Sequence, residues 1–467
     1  MPTVARQFSI GLLVTALLED RYNKTGHIRD QARAVAKRYA QKLERFGTVV
    51  SPGFFEDEEE AVKAGRMLEA HGVDCVVLVE IAYQKGLIPL RALRGLHVPI
   101  IVWNTQLVEE FPEDADFDLI MLNSGLCGLP ELTSALRRSG RDFFTVTGSI
   151  DDEAALKRLG GYLAAARAAA RLRNAKVGLI GAPYEGMTDM MQDNLAVLDT
   201  FGATCWPVDP EDVASASASV TEAEARRAIR EQRERGRSVE VEDKLMERSA
   251  RLALGLEAVV RGGGYDAIAE FDQVWLSDER VGIIPFFGTS RMVEEHVPFA
   301  CEGDVMRALS MLVLEELAGH ATFLEHYIAD YKRDLVFDSH DGHGNPALAD
   351  PAHGVRIVPT IYYRGVHGFG ASFNYSYRPG KVTLLSIGNM GEGRFQLISS
   401  EGEFVETAPR DISAPQTFFR WSGGGAAEFA DRWLSAAPSH HHAAAYGHLG
   451  ALVSATAGML RCRHEGV

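Results

Sequence analysis

The sequence lacks several features that would place it in a class at once. No stretch approaches the roughly 20 consecutive apolar residues of a membrane-spanning helix. The N-terminal segment has neither the clear apolar core nor the cleavage site of a secretory signal. Its five cysteines are scattered, odd in number and without a CxxC pair, which argues against a disulfide framework or a zinc ribbon. Together these absences predict a cytoplasmic protein with no membrane partner.

Basic residues are in deficit. The chain has 48 Lys and Arg against 64 Asp and Glu, which gives a formal net charge of -16. An acidic surface repels nucleic acid and anionic membranes, so neither is expected as a partner. No helix-turn-helix with a basic recognition helix is recognisable, which argues against a DNA-binding regulator.

Common nucleotide and hydrolase motifs are missing as well. There is no Walker A loop and no GxSxG elbow, and GLIGAP, at residues 178–183, follows a predicted strand without completing GxGxxG. We find no internal repeat and no low-complexity tract. The sequence therefore does not predict dinucleotide binding, phosphate cradling or serine hydrolysis.

What is present is an α/β pattern. Of the 467 residues 46% are hydrophobic, enough for a large core and more than one domain. Apolar runs such as CVVLVEI, VPIIVWN and DLIMLN, interpreted as strands, alternate with amphipathic helical stretches over residues 1–173, and the pattern resumes at KVGLIGAP over residues 174–318. Buried strands separated by helices predict two doubly wound parallel-sheet domains.

The last third of the chain has a different pattern of apolar and polar residues. Alternating segments with turn signals at RPGK, NMGEG and SEGE predict an antiparallel, barrel-like β domain over residues 319–467, with a helical tail that begins at His442. Within this domain FLEHY is interpreted as helical, so that a helix and a strand separate Glu325 from His340.

Four places carry candidate chemistry: Glu302 in CEGD, Glu325 in FLEHY, His340 in DSHDGHGN, and the histidines of SHHHAAAYGH. Singly, each has an ordinary explanation. An acidic residue before a helix caps it and favours its dipole, and a lone helix glutamate or loop histidine is commonly solvated.

Taken together they form a chemically coherent set. Two carboxylates and two imidazoles suit Mn²⁺ or another hard to borderline divalent ion, and the lack of a cysteine argues against structural zinc. Such a set leaves coordination positions for substrate oxygens and supplies a general acid and base beside the ion. Asp338, Asp341 and His343 are either groups that orient the ligands or parts of a surface loop, and both interpretations stand at this point.

The order of these segments resembles the L-arabinose isomerase and L-fucose isomerase superfamily, and L-arabinose isomerases most closely. The resemblance covers most of the chain. The segments that carry it are PIIVWNTQ, DLIMLNSGLCG, FFTVTGSIDDEAALKRLGGYL, KVGLIGAPYEGM, CEGD, FLEHYIADYKRDLVFDSHD and SHHHAAAYGH.

The resemblance implies a site and an activity. Glu302, Glu325, His340 and His442 would bind Mn²⁺ or a similar divalent cation, with His441 as the near alternative to His442. The family interconverts aldoses and ketoses through a cis-enediol, and Glu302 and Glu325 would share the proton transfers as catalytic residues. It also implies a small sugar substrate and a homo-oligomer, a trimer or a hexamer, with sites at subunit contacts.

Three departures from the family pattern bear on the substrate. Cys127 stands where L-arabinose isomerases have a histidine that reaches a neighbouring subunit's site. The substrate loop is replaced by TALLEDRYNKTG, with Glu19, Asp20 and Arg21, and DGHGNP follows His340. A changed pocket around a retained metal site predicts a sugar or sugar-derived substrate other than L-arabinose. The alternatives are an epimerase that uses the same enediolate chemistry, and a non-catalytic sugar-binding or regulatory protein.

Overall fold

A computed structural model of the protein describes residues 7–18, 27–362 and 366–467. The chain divides into two compact units, Ala5–Ala170 and Arg171–Val467. Among the described residues, no helix is both long enough and apolar enough to cross a bilayer. The predicted boundary between residues 318 and 319 lies within the second unit and stays a prediction.

The N-terminal unit is built on a parallel sheet. The strand order is β2–β1–β4–β5–β6, and β3 also pairs with β1. β4 is buried along its whole length, as expected of a continuous apolar strand covered by helices on both faces. The strands are β1 (Ser9–Thr15), β2 (Thr48–Val50), β3 (Phe54–Phe55), β4 (Cys75–Glu80), β5 (Ile100–Asn104) and β6 (Phe144–Thr147). The helices are α1 (Ile28–Leu43), α2 (Glu58–His71), α3 (Leu87–Leu93), α4 (Phe117–Met121), α5 (Leu129–Arg138) and α6 (Glu153–Arg173).

One predicted strand of this unit is wrong. The segment DLIMLN forms the short helix α4 and the turn after it. The Asp116 side chain accepts a hydrogen bond from the Leu119 N–H at 2.8 Å, which caps the helix at its N-terminus. Local capping therefore overrides the apolar run that suggested a strand.

The second unit begins with another parallel sheet, of order β11–β10–β7–β8. The strands of this stretch are β7 (Lys176–Ile180), β8 (Thr204–Val208), β9 (Ser238–Val239), β10 (Ala267–Glu270) and β11 (Phe299–Ala300). The helices are α7 (Asn194–Phe201), α8 (Pro210–Ser219), α9 (Glu222–Glu234), α10 (Asp243–Gly263), α11 (Phe286–Glu294) and α12 (Val305–Ala318). β9 lies apart from this sheet and pairs with the first strand after residue 355.

The rest of the unit is a closed antiparallel barrel with two helices. Its order is β17–β16–β19–β12–β13–β18, and β18 pairs back onto β17. The strands are β12 (Thr322–Asp330), β13 (Leu335–Ser339), β14 (Arg356–Tyr362), β15 (Val366–Ser376), β16 (Gly380–Asn389), β17 (Phe395–Val405), β18 (Pro415–Trp421), β19 (His441–Tyr446) and β20 (Arg463–Gly466). The helices are α13 (Ala426–Ser435) and α14 (Gly450–Met459). Parallel sheets followed by an antiparallel barrel confirm the predicted fold class, whereas the number of domains stays a prediction.

Two local predictions in the barrel are wrong. Glu325 lies on strand β12 and not on a helix, because β12 pairs on one side with β13 and on the other with β19. His442 lies within strand β19 and does not begin the helical tail, whose helix α14 starts at Gly450. The three alanines of β19 are good helix formers, but pairing with β12 and β16 overrides that preference.

Candidate active site

The sheet register separates the two neighbouring histidines of β19. Glu325 is directly opposite His441, and Leu324 is directly opposite His442. Paired residues on antiparallel strands share a face, and successive residues point to opposite faces. His441 therefore lies on the same face as Glu325, and His442 lies on the other.

The candidate ligands meet around His441. Ligand atoms of Glu325, His340 and His441 lie within 4.8 Å of one another, and the same holds for Glu302, His440 and His441. Glu325 comes from β12, His340 follows β13, and His440 precedes β19. The structure thus brings Glu302, Glu325 and His340 together, with His441 as the shared imidazole.

Glu302 reaches this cluster from the parallel sheet. It follows β11 and has φ of 60° and ψ of 16°, a left-handed conformation that is costly for a residue with a side chain. Its N–H donates to Asp272 Oδ1 at 3.2 Å, and its carbonyl accepts from the Tyr184 N–H at 2.9 Å. Held in this way, its Oε2 lies 3.4 Å from His441 Nε2.

Asp304 orients the His441 ring. His441 Nδ1 donates to Asp304 Oδ2 at 3.1 Å, and both side chains are buried. That bond fixes the tautomer and leaves Nε2 with its lone pair facing Glu302, the usual arrangement of a metal-binding histidine. Asp304 also caps α12 by accepting the Arg307 N–H at 3.0 Å. The helix-cap interpretation of the CEGD segment is thus correct for Asp304. The same side chain also holds His441, a residue distant in the sequence.

His440 and Asp189 are site residues that the sequence analysis did not assign. Asp189 Oδ2 accepts from His440 Nδ1 at 2.6 Å, from its backbone N–H at 2.9 Å and from Ser439 Oγ at 2.9 Å. Burial opposes the charge, but the bonds to Asp189 and Glu302 raise the pKa of His440 to about 10. The protonated ring lies 3.7 Å from Glu302, measured from Nε2 to Oε2. The three consecutive histidines were the available signal for His440, and no local pattern marks Asp189.

Burial sets the electrostatics of the remaining ligands. It raises the pKa of Glu325 to about 7. Burial, with the nearby His441, lowers the pKa of His340 well below its ordinary value, so this ring is neutral. In the part of the chain that the structure describes, His340 Nδ1 is buried without a hydrogen-bond partner. A buried nitrogen without a partner is costly unless something else binds it.

Other predicted participants lie elsewhere. His442 and Asp338 are fully buried on the opposite face, where His442 Nε2 is 3.5 Å from Asp338 Oδ2. His343 bonds through Nδ1 to Thr289 Oγ1 at 2.8 Å and through Nε2 to the Phe299 carbonyl at 2.7 Å, which makes it a structural residue.

Three further positions were singled out from the sequence. Asp341 is exposed and accepts a long 3.5 Å hydrogen bond from the Tyr327 hydroxyl. Cys127 is exposed at the end of a 3-10 turn in the N-terminal unit. The predicted substrate-loop residues Glu19, Asp20 and Arg21 lie outside the described residues.

The residues present fit a divalent cation. Glu302, Glu325, His340 and His441 offer two carboxylates and two imidazoles, a donor set that suits Mn²⁺ and similar ions. A cation would bind His340 Nδ1, which lacks a hydrogen-bond partner, and His441 Nε2, the ring nitrogen that does not contact Asp304. The assignment of a metal to these residues remains a prediction.

Comparison with known proteins finds sugar isomerases that are similar to this chain. No protein-family model matches the chain. Sulfoquinovose isomerase of Alkalicoccus urumqiensis is 25% identical over 341 residues, which are 72% of this chain and 74% of that protein. Sulfoquinovose isomerase of Priestia megaterium is 22% identical over 348 residues, 73% of this chain and 74% of that protein. L-arabinose isomerase of Mycolicibacterium smegmatis is 24% identical over 367 residues, 75% of this chain and 72% of that protein.

A solved structure, a periplasmic sugar-binding protein from Legionella pneumophila, aligns with 66% of this chain and 94% of its own. The identity is 14% and the TM-score is 0.15, too low to indicate a common fold. The curated isomerases align with the chain at 22–25% identity over about three quarters of both chains. The resemblance predicted from the sequence motifs is thereby confirmed: the chain is similar to curated sugar isomerases of the L-arabinose isomerase-like superfamily.

Proposed function

We propose that this protein is a divalent-metal-dependent aldose–ketose isomerase that acts through a cis-enediol. The observation that carries the proposal is that Glu325 and His340 lie in one group of ligand atoms with His441, and Glu302 lies in a second group that shares His441. In this proposal His441, the alternative named from the sequence, takes the place of His442. Manganese is the ion that we expect from the mixed oxygen and nitrogen donors.

Glu325 is suited to carry a proton between two carbons. Burial raises the pKa of Glu325 to about 7 in the site without an ion, and a bound cation would oppose that shift, so the carboxylate would be ionised and able to accept a proton at neutral pH. Glu302 would manage the proton on the substrate oxygen, beside the protonated His440. A bound divalent ion would polarise the carbonyl and hydroxyl oxygens of the sugar and stabilise the charge that develops on them.

We expect a substrate other than L-arabinose. The departures at Cys127 and at residues 19–21 support this, as does the presence of sulfoquinovose isomerases among the relatives. An anionic sugar such as sulfoquinovose is therefore the first compound to test. Epimerisation through the same enediolate would return a proton to the carbon that lost it, but on the opposite face, whereas isomerisation protonates the neighbouring carbon.

The decisive experiment measures turnover on a panel of aldoses, ketoses and sulfonated sugars, with Mn²⁺ and after EDTA. Wild type is compared with Glu325→Gln and with Glu428→Gln, which alters an exposed helix residue paired with Arg432. We expect metal-dependent isomerisation, a loss of about 100- to 10,000-fold in kcat for Glu325→Gln, and wild-type rates for Glu428→Gln.

Three outcomes would contradict the proposal. Turnover that persists after complete removal of metal would refute the metal dependence. Sugar binding without turnover on any panel member would favour the non-catalytic, sugar-binding alternative, and an epimeric product would favour the epimerase.

We also expect a homo-oligomer, a trimer or a hexamer, in the cytoplasm. Large apolar side chains of the N-terminal unit are exposed: Phe111 is 71%, Leu126 is 63% and Leu87 is 62% accessible. Exposed apolar groups of this size commonly mark contact surfaces. Light scattering after size-exclusion chromatography measures the oligomeric state directly.

A further inference from the structure

A second cluster of ligand-type side chains lies on the opposite face of the same strands. It consists of His326 on β12, Asp338 on β13 and His442 on β19, with one ligand atom of each within 4.8 Å of the others. His326 Nδ1 donates to Asp338 Oδ1 at 2.6 Å, and His442 Nε2 lies 3.5 Å from Asp338 Oδ2. The carboxylate of Asp338 therefore contacts both imidazoles, whose ring centroids are 4.1 Å apart.

The hydrogen bonding of this cluster is incomplete. Among the described residues, Asp338 Oδ2, His326 Nε2 and both ring nitrogens of His442 are buried without a hydrogen-bond partner. Asp338 and His442 are fully inaccessible, and the His326 side chain is 16% exposed. Buried polar atoms are normally satisfied, because a buried polar atom without a partner is unfavourable. Two of these four atoms, Asp338 Oδ2 and His442 Nε2, face each other at 3.5 Å, which is long for a hydrogen bond, and they are the pair that an ion would bridge.

The surroundings limit what can bind to these atoms. Rings of Phe429, Trp433 and Phe419 lie 5.3, 5.5 and 6.4 Å from the His326 ring, between centroids. Aromatic walls offer few polar partners for a chain of water molecules. A cation held by one nitrogen of each imidazole and by the Asp338 carboxylate needs at most one water to complete four-coordination.

We propose that His326, Asp338 and His442 form a second divalent-cation site that takes a borderline transition ion such as Zn²⁺. Two imidazoles and one carboxylate are a common donor set for such ions, and both oxygens of Asp338 face the histidines. The 3.5 Å between His442 Nε2 and Asp338 Oδ2 is close to the ligand separation expected around an ion with bonds of about 2.0–2.1 Å. Mn²⁺ prefers more oxygen donors and water, which this cluster does not supply.

The second site is chemically separate from the first but mechanically linked to it. Each of its residues lies one or two positions from a residue of the candidate active site: His326 follows Glu325, Asp338 precedes His340, and His442 follows His441. An ion there would bind β12, β13 and β19 together. It would thus hold the strands that position the active-site ligands, without contact with the substrate. This inference does not rest on the proposed isomerase activity.

The test is a metal count on the full-length protein, equilibrated with Zn²⁺ or with Mn²⁺ and then freed of loosely bound ion. Wild type is compared with His326→Phe, Asp338→Asn and the double variant Glu325→Gln/His340→Asn. The control is His464→Phe, a histidine outside both clusters whose Nε2 contacts Ser399 Oγ at 2.9 Å. Circular dichroism checks that each variant is folded.

We expect two Zn²⁺ ions per wild-type chain and one Mn²⁺. His326→Phe and Asp338→Asn should each retain one Zn²⁺, the double variant should also retain one, and His464→Phe should retain two. One Zn²⁺ per wild-type chain, or two in both His326→Phe and Asp338→Asn, would overturn the proposal. If those two variants do not fold, the double variant decides, because one bound Zn²⁺ supports the site and none refutes it. Two bound Zn²⁺ ions together with no isomerase activity in Mn²⁺ would refute the proposed function alone.

Discussion

At the scale of single residues, two parallel strands each end in a buried carboxyl group. Glu80 ends β4 and Glu270 ends β10. Burial raises the pKa of Glu80 to about 8, and burial together with Asp272 raises the pKa of Glu270 well above its ordinary value. Trp275 Nε1 donates to Glu270 at 2.8 Å, whereas both Glu80 oxygens are buried with no partner among the described residues. Both carboxyls are therefore kept protonated at neutral pH.

We predict that Glu80→Gln stabilises the N-terminal unit at high pH. The folded state holds the Glu80 proton more tightly than the unfolded state, so its contribution to stability is fully present below about pH 4.5 and is lost as the pH rises through about 8. Glutamine stays neutral, so the variant should gain on the order of 3 kcal/mol over wild type at pH 8.5 and almost nothing at pH 4.5. Urea unfolding at both pH values measures the difference.

The same experiment on Glu69→Gln, an exposed glutamate of α2, provides the control. It should show no pH-dependent gain. An equal gain for Glu80→Gln at both pH values would mean that the substitution acts through packing and that the carboxyl is not held protonated.

Some residues of the candidate site could be predicted from the sequence, and others could not. Glu302, Glu325 and His340 were identifiable because they stand in short segments whose order resembles one family. Asp189 was not, because its bond to His440 joins positions 251 residues apart. The choice between His441 and His442 depends on strand register, and register is a property of the paired strands.

At the scale of elements, the loop after β13 is the part on which the site depends most directly. It carries His340 and turns at Gly342, whose φ is +60°. A Cβ at Gly342 would lie 2.3 Å from Phe286 Cδ2 and 2.5 Å from Ser372 Oγ. The loop therefore packs against α11 and β15 too closely for any side chain there.

We predict that Gly342→Ala weakens both the fold and the metal site. Gly391 provides the matched control, because its φ is +77° and nothing lies within 4 Å of the point that a Cβ would occupy. Gly391→Ala should cost about 1 kcal/mol from backbone strain alone. Gly342→Ala should cost about 1–3 kcal/mol more from overpacking and should lower Mn²⁺ affinity. Unfolding and calorimetric titration of both variants test this, and equal losses would contradict the steric explanation.

At the scale of the whole molecule, the proposed metal ligands all belong to one of the two compact units. Glu302, Glu325, His340 and His441 lie in Arg171–Val467, and Ala5–Ala170 contributes none of them. A ligand that binds the folded form stabilises the part that holds it, by an amount that grows with concentration over Kd. Bound metal should therefore raise the stability of Arg171–Val467 more than that of Ala5–Ala170.

We predict that removal of metal lowers the stability of the second unit selectively. In scanning calorimetry with EDTA, the transition of Arg171–Val467 should move down by several degrees, whereas that of Ala5–Ala170 should stay in place. At Mn²⁺ concentrations 100-fold above Kd the difference is about 2.7 kcal/mol. The Glu325→Gln variant should show a smaller metal effect, and equal movement of both transitions would contradict the prediction.

The sequence by itself determined the fold class and indicated the candidate site residues. Continuous apolar runs specify parallel strands covered by helices, alternating segments specify an antiparallel barrel, and the donor set predicts a divalent ion, because these depend on local composition and order. The tertiary structure decided that Glu325 lies on a strand, that His441 and not His442 shares its face, and that Asp189 holds His440. Those facts depend on pairing between distant segments, where hydrogen bonding across strands outweighs the preferences of each segment alone.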